Sequence, residues 1–258
     1  MERAVSEFQT LIFDESRDHV EVTLDRPETK NAIDAEMIDE LHRVCAILEQ
    51  RPRIMVLTGG TNGVFAGGAD IAQLRDRRRD DALAGINVNL FERIRKLPMP
   101  TVAAIDGYAL GGGAELSYAC DIRVATPRTV FGQPEPGLGI IAGAGATFRL
   151  VRLLGESIAK QVLLAGQWLD SDQALRFGLV QSVVDPDDLV AAARGIAENM
   201  GRSSQIALRM TKLAADAGEA AHPQIELAIQ ALLFEDAEKI DRMTAFLDRR
   251  GRKSEGRS

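Results

Sequence analysis

The 258-residue sequence has little cysteine, histidine or aromatic residue and no long apolar run. Two cysteines, Cys45 and Cys120, are too few and too far apart for a disulfide framework or a zinc site. Three histidines, His19, His42 and His222, are isolated, and no H-E-x-x-H occurs, so each reads as a surface or capping residue and no metal is expected. Aromatic residues make up 5% against 45% apolar residues, which requires an aliphatic, alanine-rich core. No stretch reaches the roughly 18 apolar residues of a membrane span. The first residues, Met1 to Glu7, contain no apolar segment of the kind a secretory signal needs. A net charge of -7 weighs against a nucleic-acid partner. Together these absences give a cytoplasmic protein with neither membrane nor nucleic acid as partner.

Glycine is abundant instead: 23 residues, clustered rather than spread. Strand-like alternation covers Leu11 to Phe13 and Val20 to Leu24. Asp34 can cap a helix running to about Gln50, with Ile38, Leu41, Cys45 and Leu48 on one face. Ile54–Leu57 and Thr101–Ile105 read as buried strands, followed by glycine loops at 63–70 and 107–113. Ile122–Ala125, Thr129–Phe131 and Leu179–Val184 read as further strands. Residues 71–97 are helical in pattern. Their charged piece, Arg75 to Asp81, holds four Arg and three Asp and reads as a solvated helix end or loop. A third glycine and proline segment spans 132–145 and leads into a helix from Ala146 to Leu154, with Gly155 at its C-cap. After Pro186 the pattern is wholly helical, and the end of the chain is locally basic.

The glycine loops admit two readings. Gly137-Leu138-Gly139-Ile140-Ile141-Ala142 matches a dinucleotide fingerprint, with Glu156 about 20 residues on. Pro134 and Pro136 stand where its strand belongs, and proline cannot serve a central ladder. No G-K-[ST] follows any glycine run, so a P-loop is excluded. Alternatively the loops act jointly. Glycine lets backbone N–H groups approach a ligand, and two N–H groups from different loops make an oxyanion hole. Glu115 and Glu135 lie beside these turns, and paired carboxyls suit proton transfer next to an activated carbonyl. On spacing alone, Glu115 reads first as a helix-dipole partner and Glu135 as an exposed turn residue, with catalysis the second reading of each.

Phe65-Ala66-Gly67-Gly68-Ala69-Asp70-Ile71 resembles the first signature of the crotonase (enoyl-CoA hydratase/isomerase) superfamily. Ala104 to Leu116, with Gly111-Gly112-Gly113-Ala114-Glu115, resembles the second. Asp121 to Ala125 followed by Phe131-Gly132-Gln133-Pro134-Glu135 and Leu138-Gly139-Ile140 resembles the third. Leu24-Asp25-Arg26-Pro27 with Asn31-Ala32, and Ala165-Gly166 with Ala174 and Gly178-Leu179-Val180, extend the similarity over roughly residues 8–250.

The resemblance implies an α/β fold, a spiral of repeated β-β-α units. Residues 1–195 would form the core with the active site, and residues 196–258 a helical segment for assembly into a trimer or a dimer of trimers. It implies an acyl-CoA substrate, no cofactor, an oxyanion hole from the N–H groups of Ala69 and Gly112, and catalytic carboxyls at Glu115 and Glu135. It further implies CoA contacts from Gly68, Ala69, Asp70, Ile71 and Gly112, with Arg26, Lys30, Arg249 and Arg250 as candidates for the phosphates. The reaction implied is syn hydration of a trans-2-enoyl-CoA. A Δ3-Δ2-enoyl-CoA isomerase, a ring-substrate hydratase or hydrolase, and a non-catalytic acyl-CoA binder are the alternatives. Pro136, Ala142, Ala146 and Phe148 depart from the usual pattern at positions that border the acyl pocket or the helix after it.

Overall fold

The computed structural model describes residues 8–16, 18–60 and 62–255. The chain divides into two units between Asn199 and Met200. The first opens with an antiparallel pair, β1 (Leu11–Glu15) and β2 (His19–Leu24), and a helix, α1 (Ala35–Gln50). Asp34 caps α1 by accepting the Met37 N–H at 2.9 Å, and Met37, Ile38, Leu41, Val44, Cys45 and Leu48 form its buried stripe.

Three turns of one pattern follow. Each has a strand of a main sheet, a short strand of a second sheet, then helix. The first is β3 (Ile54–Thr58), β4 (Val64–Ala66) and the helices α2 (Ile71–Asp76), α3 (Arg79–Ala84) and α4 (Ile86–Arg95). The second is β5 (Thr101–Ile105), β6 (Tyr108–Leu110) and α5 (Gly112–Ala119). The third is β7 (Ile122–Ala125), β8 (Val130–Gly132) and α6 (Ala146–Ala165). Two-residue strands β9 (Leu169–Asp170) and β10 (Ser182–Val183) flank α7 (Ser171–Arg176). The main sheet runs β1-β2-β3-β5-β7-β10 and the second β4-β6-β8-β9. Pairing is parallel from β2 to β10 and from β4 to β8, so turn stacks on turn. Every residue of β3 and β5 is buried, as a parallel sheet covered on both faces requires.

Several elements differ from the sequence reading. The segments 63–70 and 107–113, read as loops, each contain a three-residue strand. Such strands are too short, and too closely flanked by glycine, to show alternation. The strand read over Leu179–Val184 shrinks to Ser182–Val183, because the Leu179 and Val180 N–H groups go to the Ala174 carbonyl. Gly155 interrupts α6 at φ 75 instead of ending it. His19 is buried rather than superficial, on the face of β2 it shares with Glu21, with Nδ1 3.0 Å from Ser16 Oγ.

The repeat delivers the site. The three neighbouring strands β4, β6 and β8 run parallel, and at their carboxyl ends lie Ala69, Gly112 and Glu135. Outside the carboxyl ends of parallel strands is where open α/β sheets bind ligands.

The helix α8 (Leu189–Gly201) runs across the division between the units. The second unit holds α9 (Gln205–Asp216), α10 (Gln224–Phe234) and α11 (Ala237–Glu255). Ser204 accepts the Ala207 N–H at the start of α9, and its hydroxyl donates to Glu238 at 2.7 Å. Leu227, Leu232, Ile240, Met243 and Leu247 are exposed on this unit. The side chains of Arg249 and Arg250 lie outside the described residues.

Candidate active site

The segment after β4 is held extended against Ile33. Ile33 N–H donates to Gly68 O at 2.8 Å, and Asp70 N–H donates to Ile33 O at 3.0 Å. In such a parallel bridge the residue between the two bonded groups turns its own N–H away from the partner strand. The Ala69 N–H is thereby left to the cavity that Ala69 lines.

Asn31 clips this segment from behind. It is buried at φ 52, accepts the Arg26 N–H at 2.9 Å, and directs Nδ2 at the carbonyls of Phe65, Val64 and Gly59. Arg26 braces the clip, with Nη1 2.7 Å from Ala32 O and 2.8 Å from Asp34 Oδ2. The Arg26–Asn31 motif therefore shapes the loop. Lys30 is exposed, and its carbonyl accepts the Gly67 N–H at 2.9 Å. Asp70 caps α2, accepting the Gln73 N–H at 2.9 Å, and Ile71 lines the cavity.

Gly112 opens α5, where the first-turn N–H groups have no partner within the helix. A Cβ on Gly112 would lie 3.4 Å from the Ala69 nitrogen, so the two N–H groups stand side by side. Two flanking glycines permit this approach. A Cβ on Gly113 would lie 2.2 Å from Ala66 O, and one on Gly111, at φ 50, would lie 2.6 Å from Glu135 Oε1.

Glu115 stands one turn along α5 and is 2% exposed. Its Oε1 accepts N–H groups from Ala144 at 2.8 Å and Ala146 at 2.9 Å. Burial pushes its carboxyl up to about 7. The charge of Glu135 pushes the same way, while the two N–H donors and Arg149 oppose. Glu135 opens a short 3-10 helix, Glu135–Leu138, and is 8% exposed. Burial raises its carboxyl too, against its own backbone N–H. The Gln133 amide satisfies its surroundings with its nitrogen toward Glu135, donating to Oε2 at 3.0 Å. Burial thus raises both carboxyls, and the charge of Glu135 adds to the rise at Glu115.

Arg149 supports the turn that holds Glu115. It is buried on α6, donates to Ala144 O at 3.1 Å and pairs with Glu92 of α4. No motif pointed to it, since it meets Glu115 only through a turn that the fold closes.

Glu115, Glu135, Ala69 and Gly112 line one cavity of about 560 Å³. Gly68, Leu74, Ile86, Val88, Leu138 and Ile140 line it also. Two converging N–H donors can hold a developing oxyanion, and two carboxyls with raised affinity for protons can move a proton beside it. The dinucleotide fingerprint has no such context. Its glycines lie in and just after the 3-10 helix, separated from β8 by Gln133 to Pro136, and Glu156 is exposed and paired with Lys160. Among the described residues no group of three or more His, Cys, Asp or Glu is placed to hold a metal ion.

The charged segment is largely exposed, as the sequence reading has it, with one addition. Arg77 and Arg78, read as part of a solvated helix end or loop, lie in the break between α2 and α3 and also line the same cavity.

Residues 15–257 match the Enoyl-CoA hydratase/isomerase family. The chain belongs to that family. It is similar to the short-chain-enoyl-CoA hydratase of Clostridium acetobutylicum, 36% identical over 89% of this chain and 91% of that protein. It is 33% identical to the crotonyl-CoA hydratase of Syntrophomonas wolfei, over 94% and 96% of the two chains. Its fold matches the crystal structure of enoyl-CoA hydratase from Bacillus anthracis with a TM-score of 0.88, at 30% identity over 93% and 97% of the chains. The three stacked β-β-α turns are thus the crotonase-type spiral.

Proposed function

We propose that this chain is an enoyl-CoA hydratase, a hydro-lyase that adds water to a trans-2-enoyl-CoA and forms a 3-hydroxyacyl-CoA. The observation that carries the reading is the presence of both glutamates, with raised proton affinity, in the cavity that also receives the Ala69 and Gly112 N–H groups. The thioester carbonyl sits between the two N–H groups, and charge drawn onto its oxygen leaves C3 electron-poor. Glu115, ionised and fixed by the Ala144 and Ala146 N–H groups, takes a proton from water as the water oxygen bonds to C3. Glu135, protonated, gives its proton to C2. The pair keeps the same proton count, and transfer of one proton from Glu115 to Glu135 restores the starting state. The CoA thioester is the substrate, and no cofactor takes part.

CoA contacts fall to backbone atoms of Gly68 to Ile71 and to Lys30, exposed beside Gly67. Arg26 acts through the loop it braces. The second unit assembles copies of the chain into a trimer or a pair of trimers, a reading supported by its exposed Leu227, Leu232, Ile240, Met243 and Leu247. The cytoplasm as site of action is supported by the cysteine content, two residues only, both buried.

Loss of the enoyl-thioester absorbance of crotonyl-CoA, without added nicotinamide cofactor, tests the activity. Conversion to 3-hydroxybutyryl-CoA is expected. No conversion of any trans-2-enoyl-CoA would overturn the reading, and turnover of 3-enoyl-CoA alone would make the chain an isomerase.

A further inference from the structure

The segment Arg75 to Asp81 sorts its arginines. Arg75 pairs with Asp76 at 2.9 Å and Arg79 with Asp80 at 3.1 Å, and both pairs face solvent. Arg77 and Arg78 line the cavity. Among the described residues no carboxylate stands within ion-pair distance of either. Arg77 is half-buried, and its Nη1 donates to Asn87 Oδ1 at 2.7 Å, which fixes the guanidinium at the cavity wall beside another lining residue. Asp81, the acid next to them, turns Oδ2 to the Arg78 backbone N–H at 2.8 Å as it starts α3. The run therefore pairs its outward charges with its own acids and leaves two arginines facing the ligand space, beside Asp81, which lines the same cavity with one carboxylate oxygen held by the Arg78 N–H.

Their place along the fold says which part of the ligand they meet. The oxyanion donor Ala69 lies two residues before α2 and Arg77 just past its end, and the helix between them is about 9 Å long at 1.5 Å per residue. Leu74, Ile86 and Val88 line the wall over the same stretch and suit methylene groups. That distance is within the combined reach of a short acyl chain and an arginine side chain. Arginine matches a carboxylate in a two-point, charge-assisted contact, strongest where water is partly excluded.

Resting on the hydratase reading above, we propose that the preferred substrate is a short trans-2-enoyl-CoA whose acyl chain ends in a carboxylate, bound at that end by Arg77 and Arg78. The reaction is unchanged: water adds across C2 and C3, and the distal carboxylate takes no part in bond making.

The test compares kcat/KM for the six-carbon trans-2-enoyl-CoA ending in a carboxylate with that for trans-2-hexenoyl-CoA, in the wild type, Arg77→Met and Arg78→Met. The wild type is expected to favour the carboxylated substrate at least about tenfold, the size of one charge-assisted contact. Arg77→Met is expected to bring the ratio toward one, chiefly by raising KM for the carboxylated substrate. No preference in the wild type would overturn the proposal. So would an equal loss on both substrates in the variants, which would assign the arginines to the CoA phosphates. Failure of the wild type on every enoyl-CoA would instead overturn the hydratase reading.

Discussion

Glu115 combines deep burial with two backbone N–H donors and a carboxyl neighbour, and each consequence can be measured. Its carboxyl rises from an ordinary value near 4.5 to about 7 in the folded chain. A carboxyl raised by folding contributes stability below its unfolded value, and that contribution is lost as pH rises through about 7. Glu115→Gln keeps an oxygen for the Ala144 and Ala146 N–H groups and removes the buried charge. It should raise the melting temperature at pH 8, by up to about 3 kcal/mol of stability, and change it little at pH 5. Thermal melts at the two pH values check this. Arg149 lowers the Glu115 carboxyl and holds the Ala144 carbonyl. Arg149→Met should therefore move the acid limb of the rate profile to higher pH, whereas a merely structural role would lower the rate at all pH values alike. At this scale the sequence showed both glutamates and both N–H positions, because each sits inside a contiguous motif. It did not show Arg149 or the Ala144 and Ala146 donors, which reach Glu115 across about 30 residues of chain. Nor did it separate Arg77 and Arg78 from Arg75 and Arg79, since which arginines find an acid depends on where the α2–α3 break points them.

Among the elements, the short strands β4 and β6 with their glycine exits matter most. Their position depends on close backbone contact. A methyl on Gly113 would meet Ala66 O at 2.2 Å, so Gly113→Ala should displace the Ala69 loop from α5. Losing alignment of one oxyanion donor costs on the order of 3 kcal/mol in the transition state, so kcat should fall about 100-fold or more, with KM for crotonyl-CoA less affected. Asp106 pins the other end of β4. It is fully buried, and although burial opposes its charge, Arg128, Thr126 and the Gly63 N–H hold its carboxyl below the usual range. Asp106→Ala leaves the buried Thr126 hydroxyl and the Gly63 N–H without their acceptor, while Arg128 turns to solvent, and should cost about 1–3 kcal/mol, read from denaturant midpoints. Long elements such as α1, β3 and β5 were legible because capping and periodicity mark them. The three-residue strands carry no period, and only their pairing with neighbouring turns defines them.

For the whole molecule, repetition explains the location of the site: three turns stack, and the exits of three adjacent short strands meet at one cavity. The sequence showed the repeat as recurring strand, glycine turn and helix, and the change to pure helix near its end. If the second unit assembles copies of the chain, Ile240→Glu and Leu247→Glu, each placing a charge on an exposed apolar position, should reduce the mass measured by light scattering to that of a monomer. The central claim concerns the pair of carboxyls and is tested most directly by the kcat of crotonyl-CoA hydration in Glu115→Gln beside the wild type. General acid–base catalysis predicts a fall of about 10²–10⁴-fold in a variant that still melts cooperatively. A rate within a few-fold of the wild type would contradict the account.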